Sequence, residues 1–157
     1  MMTRFEGKRR PILAFALLLM GWTLPGGATA VEDYRVTDDV VLTDLQVSQA
    51  KAGRQARITF TLENRGAERV IFNGLTVANT ARARIIGSLG GEATTTLNSI
   101  PVGPDEVLSL NGNALWIEID GLASDLVPGT TIDAKVLLGM GAIPISLPVN
   151  LRTEPSS

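Results

Sequence analysis

The feature that most constrains this chain is the strict alternation in Ala114–Leu138, ALWIEIDGLASDLVPGTTIDAKVLL. Leu115, Ile117 and Ile119 alternate with Trp116, Glu118 and Asp120. A period of two is the signature of a strand with one buried face. Gly121 breaks the run, Leu122 and Leu126 carry a short loop, and Pro128-Gly129 marks a turn. Ile132, Ala134, Val136 and Leu138 then alternate again. The same habit extends along the chain. Val40–Ser48, Ala56–Glu63, Val70–Ala78, Ala81–Ile86, Val107–Leu110 and Ile143–Leu151 all read as strands. Thr94–Ile100 reads as a strand or an extended loop, and Gly87–Ala93 as a flexible loop. Val31–Asp39 reads as a loose, acidic start. Asn111-Gly112 signals a hairpin, and Gly139-Met140-Gly141 a hairpin tip. Pro144 and Pro148 lie on one side of the last strand and confine it to an edge or sandwich rim. The one helical candidate after the N-terminal segment is a single turn at Ala123–Leu126. About eight or nine short strands separated by turns predict an all-β, antiparallel β-sandwich.

The first thirty residues are set apart from that domain. Arg4, Lys8, Arg9 and Arg10 precede the apolar run Pro11–Leu24, and Ala28-Thr29-Ala30 is an A-x-A site. The apolar run is about fourteen residues, short against the roughly 20 that cross a bilayer. This is the layout of a secretory signal peptide cleaved after Ala30. The expected mature domain is 31–157, periplasmic or secreted, without a stable membrane anchor. It carries 10 basic and 15 acidic residues, so no basic patch supports a nucleic-acid partner.

Chemistry is sparse. The chain has no cysteine and no histidine. That excludes disulfides, thiolate sites, and the commonest general base and metal ligand. The carboxylate pairs Glu118/Asp120, Asp105/Glu106 and Asp38/Asp39 read as solvated surface charge. The Gly-rich stretches lack the lysine and helix of a phosphate loop. No serine has a base beside it, so a hydrolase triad is not available. An enzyme is not expected.

Several motifs together resemble a known family. The run W-I-E-I-D-G-L-x-x-x-L-x-x-G-x-x-I from Trp116, the turn Thr61-Leu62-Glu63-Asn64-Arg65-Gly66, Ala81-Arg82-Ala83, and Ile100-Pro101-Val102-Gly103-Pro104 are similar to the periplasmic copper chaperones written PCu(A)C. The resemblance implies a cupredoxin-like or immunoglobulin-like sandwich, and copper delivery during cytochrome oxidase assembly. In that family a His, a Met about ten residues later, and a later His-x-Met hold copper. Carried over, those positions fall on Ile86, near Leu97, and on Trp116 and Glu118. None of these is a Cu(I) ligand: Ile and Leu have no donor atoms, Trp offers only an N–H, and Glu is a hard oxygen donor. After removal of the signal the remaining methionine is Met140, on another hairpin. The resemblance thus implies a copper-chaperone-like protein without a working copper site, with no cofactor of its own, acting on a protein partner. The alternative is a metal-independent sandwich serving as an interaction module of the cell envelope.

Overall fold

The computed structural model describes residues 34–139 and 141–151. The signal segment, Met140 and the Thr153–Ser157 tail lie outside the described residues. Eleven strands follow one another: β1 (Tyr34–Arg35), β2 (Val40–Ser48), β3 (Ala56–Asn64), β4 (Val70–Val77), β5 (Arg82–Gly90), β6 (Ala93–Leu97), β7 (Ile100–Val102), β8 (Val107–Leu110), β9 (Leu115–Asp120), β10 (Thr131–Leu138) and β11 (Gly141–Asn150). They form one path, β6-β5-β9-β3-β2-β11-β10-β4-β7, with β1 on β2 and β8 on β3. All pairings are antiparallel except one. The last two pairs of β11, Val149↔Val47 and Asn150↔Ser48, join β2 in parallel and link the two halves of the path.

The halves face each other as layers. Ala56, Ile58, Phe60, Leu62 and Asn64 of β3 are buried and their neighbours half-buried, an uninterrupted period of two. Phe60 meets Phe72 of β4 edge-on, with ring centroids 5.6 Å apart and planes at 79°. Leu42, Val47, Ile117, Val136 and Leu147 complete the interior. Burying each such side chain is worth about 1.5–3 kcal/mol, so the all-β sandwich is held by its core without disulfides.

Four segments depart from the sequence expectation, each for a local reason. Tyr34–Arg35 pairs with Leu42 and Val41, because Thr37 Oγ1 accepts the N–H groups of Asp39 and Val40 and closes the turn. Gly87–Gly90 is not a loop but the end of β5, paired with Thr95, Thr94 and Ala93. Ala123–Leu126 is not helical; it crosses to Ala50 through reciprocal backbone bonds with Leu126, and Gly53 N–H bonds Leu122 O. Asn111-Gly112 does not make a hairpin. Phe60 faces Leu110 while Ile58 already faces Ile117, so β8 and β9 run the same way along β3 and the Asn-Gly turn is an excursion between them.

β11 lies inside the path between β10 and β2 and is not its end strand, but β2 joins only its last two residues, so the prolines sit on a rim that is otherwise open. Val149 N–H bonds Thr130 O on the β10 side. Backbone polar groups alternate sides along a strand, so Pro144 and Pro148 turn their nitrogens away from β10.

Candidate functional site

The candidate site is read from the cross-strand registers. Residues directly opposite one another share a face of the sheet. One row runs Leu97–Ile85–Ile117–Ile58 across β6, β5, β9 and β3, and it faces the core. The neighbouring row runs Thr96–Ile86–Trp116, and a third runs Arg84–Glu118–Arg57. These two lie on the outer face. The fold therefore brings Ile86, Trp116 and Glu118 together. Leu97 lies on the opposite side of the sheet, packed on the core, and Thr96 stands beside Ile86 in its place.

This outer patch is shut. Ile86 and Trp116 are only 5% and 7% exposed, though neither belongs to the main core. The Arg57 guanidinium lies over the Trp116 ring, 4.2 Å from its centroid. Its Nη1 donates to Gly112 O at 2.9 Å, and its backbone N–H donates to Ser48 Oγ at 2.9 Å. The excursion at Asn111-Gly112 supplies that carbonyl: Asn111 Oδ1 accepts the N–H of Asn113, and Gly112 N–H bonds Leu115 O. A cation over an indole face is worth about 0.5–2 kcal/mol depending on desolvation.

Beside the ring, Arg84 Nη2 donates to Glu118 Oε1 at 2.7 Å and to Asp120 Oδ2 at 3.0 Å. Gln55 Nε2 reaches Glu118 Oε1 at 3.5 Å. Three polar atoms here are buried without a hydrogen-bond partner: Trp116 Nε1, Arg84 Nε and Asp120 Oδ1. Chemically the patch offers an indole donor, an aliphatic side chain, a threonine hydroxyl and a carboxylate already held by arginine. It does not fit Cu(I), which takes thioether and imidazole donors. Among the described residues, no three His, Cys, Asp or Glu side chains group as a metal site. A groove of about 570 Å³ on the other half of the path, lined by Thr76, Asp133, Lys135, Pro144 and Ser146, is remote from this chemistry.

Arg57, Arg84 and Thr96 are participants that the motif comparison passed over. The signal was present for the arginines. Each sits one residue from a core side chain, Ile58 or Ile85, and so on the outer face with Trp116.

Solved structures fix what this architecture is. A copper-bound PCuAC domain from PmoF2 superposes with a TM-score of 0.66 at 11% identity, over 77% of this chain and 99% of that one. An apo PCuAC domain from PmoF1 gives 0.62 at 16% identity, over 77% and 100%. The Cu(I) form of DR1885 from Deinococcus radiodurans gives 0.58 at 14% identity, over 80% and 85%. The chain has the PCuAC fold. No protein-family model matches the sequence, and no curated protein matches it. The PCuAC likeness is therefore one of architecture at low identity. Two of the turns that resemble the family in sequence are one unit here. Asn64 Nδ2 donates to the carbonyls of Glu68, Val102 and Gly103, and its Oδ1 accepts Gly66 N–H. A single buried amide thus ties Glu63-Asn64-Arg65-Gly66 to Ile100-Pro101-Val102-Gly103.

Proposed function

We propose that this is an exported protein of PCuAC fold that serves copper handling in the periplasm, on the route to cytochrome oxidase, by contact with a protein partner and not by carrying Cu(I) itself. Export is supported by the signal-like sequence of the first thirty residues, in which Ala28-Thr29-Ala30 would be the cleavage site. The copper context rests on the architecture, since PCuAC domains of the same fold are solved with copper bound. The observation that carries the loss of the site is the outer row Thr96–Ile86–Trp116 with Glu118 held by Arg84. On this reading Ile86, Thr96, Trp116 and Glu118 occupy the places of copper ligands, with Thr96 replacing Leu97 because only it shares their face. The residues plug the place with packed side chains and leave no soft donor. No catalytic role is assigned, and neither nucleic acid nor membrane is a partner in this reading.

Titration of the purified protein with Cu(I) against a chromogenic chelator is the test. The chelator is expected to keep the metal. Stoichiometric uptake by the protein would overturn the reading and direct attention to Met140. Deleting the gene under copper limitation tests the context: reduced cytochrome oxidase activity supports it. Normal oxidase with an envelope defect would favour a metal-independent interaction module.

A further inference from the structure

The open edges of the sheet are not alike. At the far end of the strand path, β7 carries Pro101, and the open side of β11 carries Pro144 and Pro148. Prolines at an edge block the addition of another strand. β8 is only four residues long and is preceded by two consecutive charges, Asp105 and Glu106. β6 has one flanking charge, Glu92, which an antiparallel copy centred on Thr95 would set against Asn98 and not against a like charge, and it has no guard within the strand. It reads Ala93-Thr94-Thr95-Thr96-Leu97, uncharged, without proline and rich in β-branched residues. Among the described residues it pairs only with β5.

The direction of its backbone groups follows from β5. Ser88 N–H bonds Ala114 O, so the even residues of β5 face β9 and Ile85 and Gly87 face β6. Their partners Leu97 and Thr95 therefore bond inward. Thr94 and Thr96 turn their N–H and C=O groups to the open edge.

We propose that the β6 edge is a self-association site that takes β6 of a second copy of this chain, antiparallel about a two-fold axis through Thr95. In that register Thr94 faces Thr96 of the second copy. Each such pair exchanges two backbone bonds, and all the outward groups of Thr94 and Thr96 on both chains are satisfied. Threonine faces threonine on the outer side, a favourable cross-strand pair. On the inner side Ala93 faces Leu97 of the second copy.

A second observation selects a copy as the occupant. Leu89 of β5 is 69% exposed, at the bulge between Ser88 and Gly90, next to Ala93. Ala93 is small enough for Leu89 to reach across it toward Leu97 of the second copy. Leu97 is half-buried now, so the apolar row would be completed twice, once on each side of the axis. A perpendicular two-fold keeps outer faces on one side. It would set the two Ile86–Trp116 patches on a common surface, with the Ile86 side chains about 15 Å apart from strand spacing and rise.

The chain has no cysteine, which makes the register directly testable. Thr95 would face its own copy in a pair without mutual bonds, where Cα atoms lie about 4.5 Å apart, within disulfide range. Mild oxidation of the purified Thr95→Cys protein is expected to give a covalent dimer, whereas Thr94→Cys is not. Sedimentation equilibrium should show a concentration-dependent dimer. Thr94→Pro, which removes only an outward N–H, should weaken it at least tenfold with an unchanged far-UV circular dichroism spectrum. Leu89→Ser should weaken it several-fold. A monomer at every concentration, with no cross-link at Thr95→Cys, would overturn the proposal and leave the edge to an extended segment of another protein. Equal cross-linking at Thr94→Cys would overturn the register.

Discussion

Asn64 is fully buried, and it is the one buried polar residue among those described. Its amide orientation follows from its surroundings: three carbonyls around Nδ2 and one N–H at Oδ1 permit a single assignment. Replacing it with alanine would take the amide donor from the Glu68 and Gly103 carbonyls and the acceptor from Gly66 N–H, while the Val102 carbonyl keeps its ladder partner Val70. An unmade buried bond costs about 1–3 kcal/mol, so Asn64→Ala should cost about 2–4 kcal/mol over this cluster. Asn64→Asp should cost more, since it aims an acceptor at three acceptors. Urea unfolding with an unchanged slope checks both. The turn sequences around Asn64 and Ile100 are visible as motifs, but nothing in the spacing says that one side chain joins them. The same limit applies to Leu97. Its face depends on the register across the β5–β6 turn, and a one-residue slip there reverses every side chain. The bulge between Ser88 and Gly90 is such a slip.

At the scale of elements, the connection between β9 and β10 is pinned to the turn between β2 and β3. Asp125 accepts from Lys51 Nζ and from Ala52 N–H, both at 2.8 Å. The Lys51 hydrogen bond, then the Ala52 N–H, hold the Asp125 carboxyl below its ordinary value. The hydrogen bond to Asp125 raises Lys51. A depressed carboxylate lends stability that is present above its unfolded pKa and lost as pH falls through the folded one. A raised ammonium lends stability present below its unfolded pKa and lost as pH rises through the folded value. The pin is thus complete between the two ordinary ranges and fails on acidification first. Protection factors of the Gly53 and Leu126 amides, corrected for intrinsic exchange, should fall below the carboxylate range. They should also fall with added salt, because the pair is exposed. In Asp125→Asn they should be low throughout and flat with pH. Strands were the legible elements: the alternation in β3, β9 and β10 stands in the sequence as it stands in the fold. The excursion at Asn111-Gly112 was not, because a turn signal states that the chain bends and not which strand it bends toward. Nor was the end of β5, where Gly87 lies under Thr95, Leu97 and Leu115 in a strand that its glycines disguise as a loop.

On the scale of the whole molecule, only the fold brings Ile86, Thr96, Trp116 and Glu118 together, so placing ligands at all four tests the architecture rather than any one residue. The variant Ile86→His, Thr96→Met, Trp116→His, Glu118→Met places two imidazoles and two thioethers on adjacent positions of one face. Neighbouring strands lie about 4.8 Å apart and successive rows on one face about 7 Å, spacings that side chains of this length can close around one Cu(I) ion. Two costs accompany the exchange. Losing Trp116 removes the ring beneath Arg57 and a large buried area, so the variant should be less stable by about 3–5 kcal/mol. Losing Glu118 leaves Arg84 paired with Asp120 alone, a partly exposed contact worth at most about 1 kcal/mol. Copper should return part of that stability, since a ligand that binds only the folded state raises its melting temperature with concentration. The expected outcome is stoichiometric Cu(I) uptake in competition with a chelator, and a thermal midpoint that climbs as copper is added. The control exchanges Leu97→Met for Thr96→Met. Its thioether would face the core, one row over and through the sheet, so its affinity should be clearly lower. Equal affinity in the two variants would mean that the outer row is not where the metal binds. No affinity in a folded outer-row variant would mean that these positions never formed a copper site, and that the likeness to PCuAC domains ends at the sandwich itself.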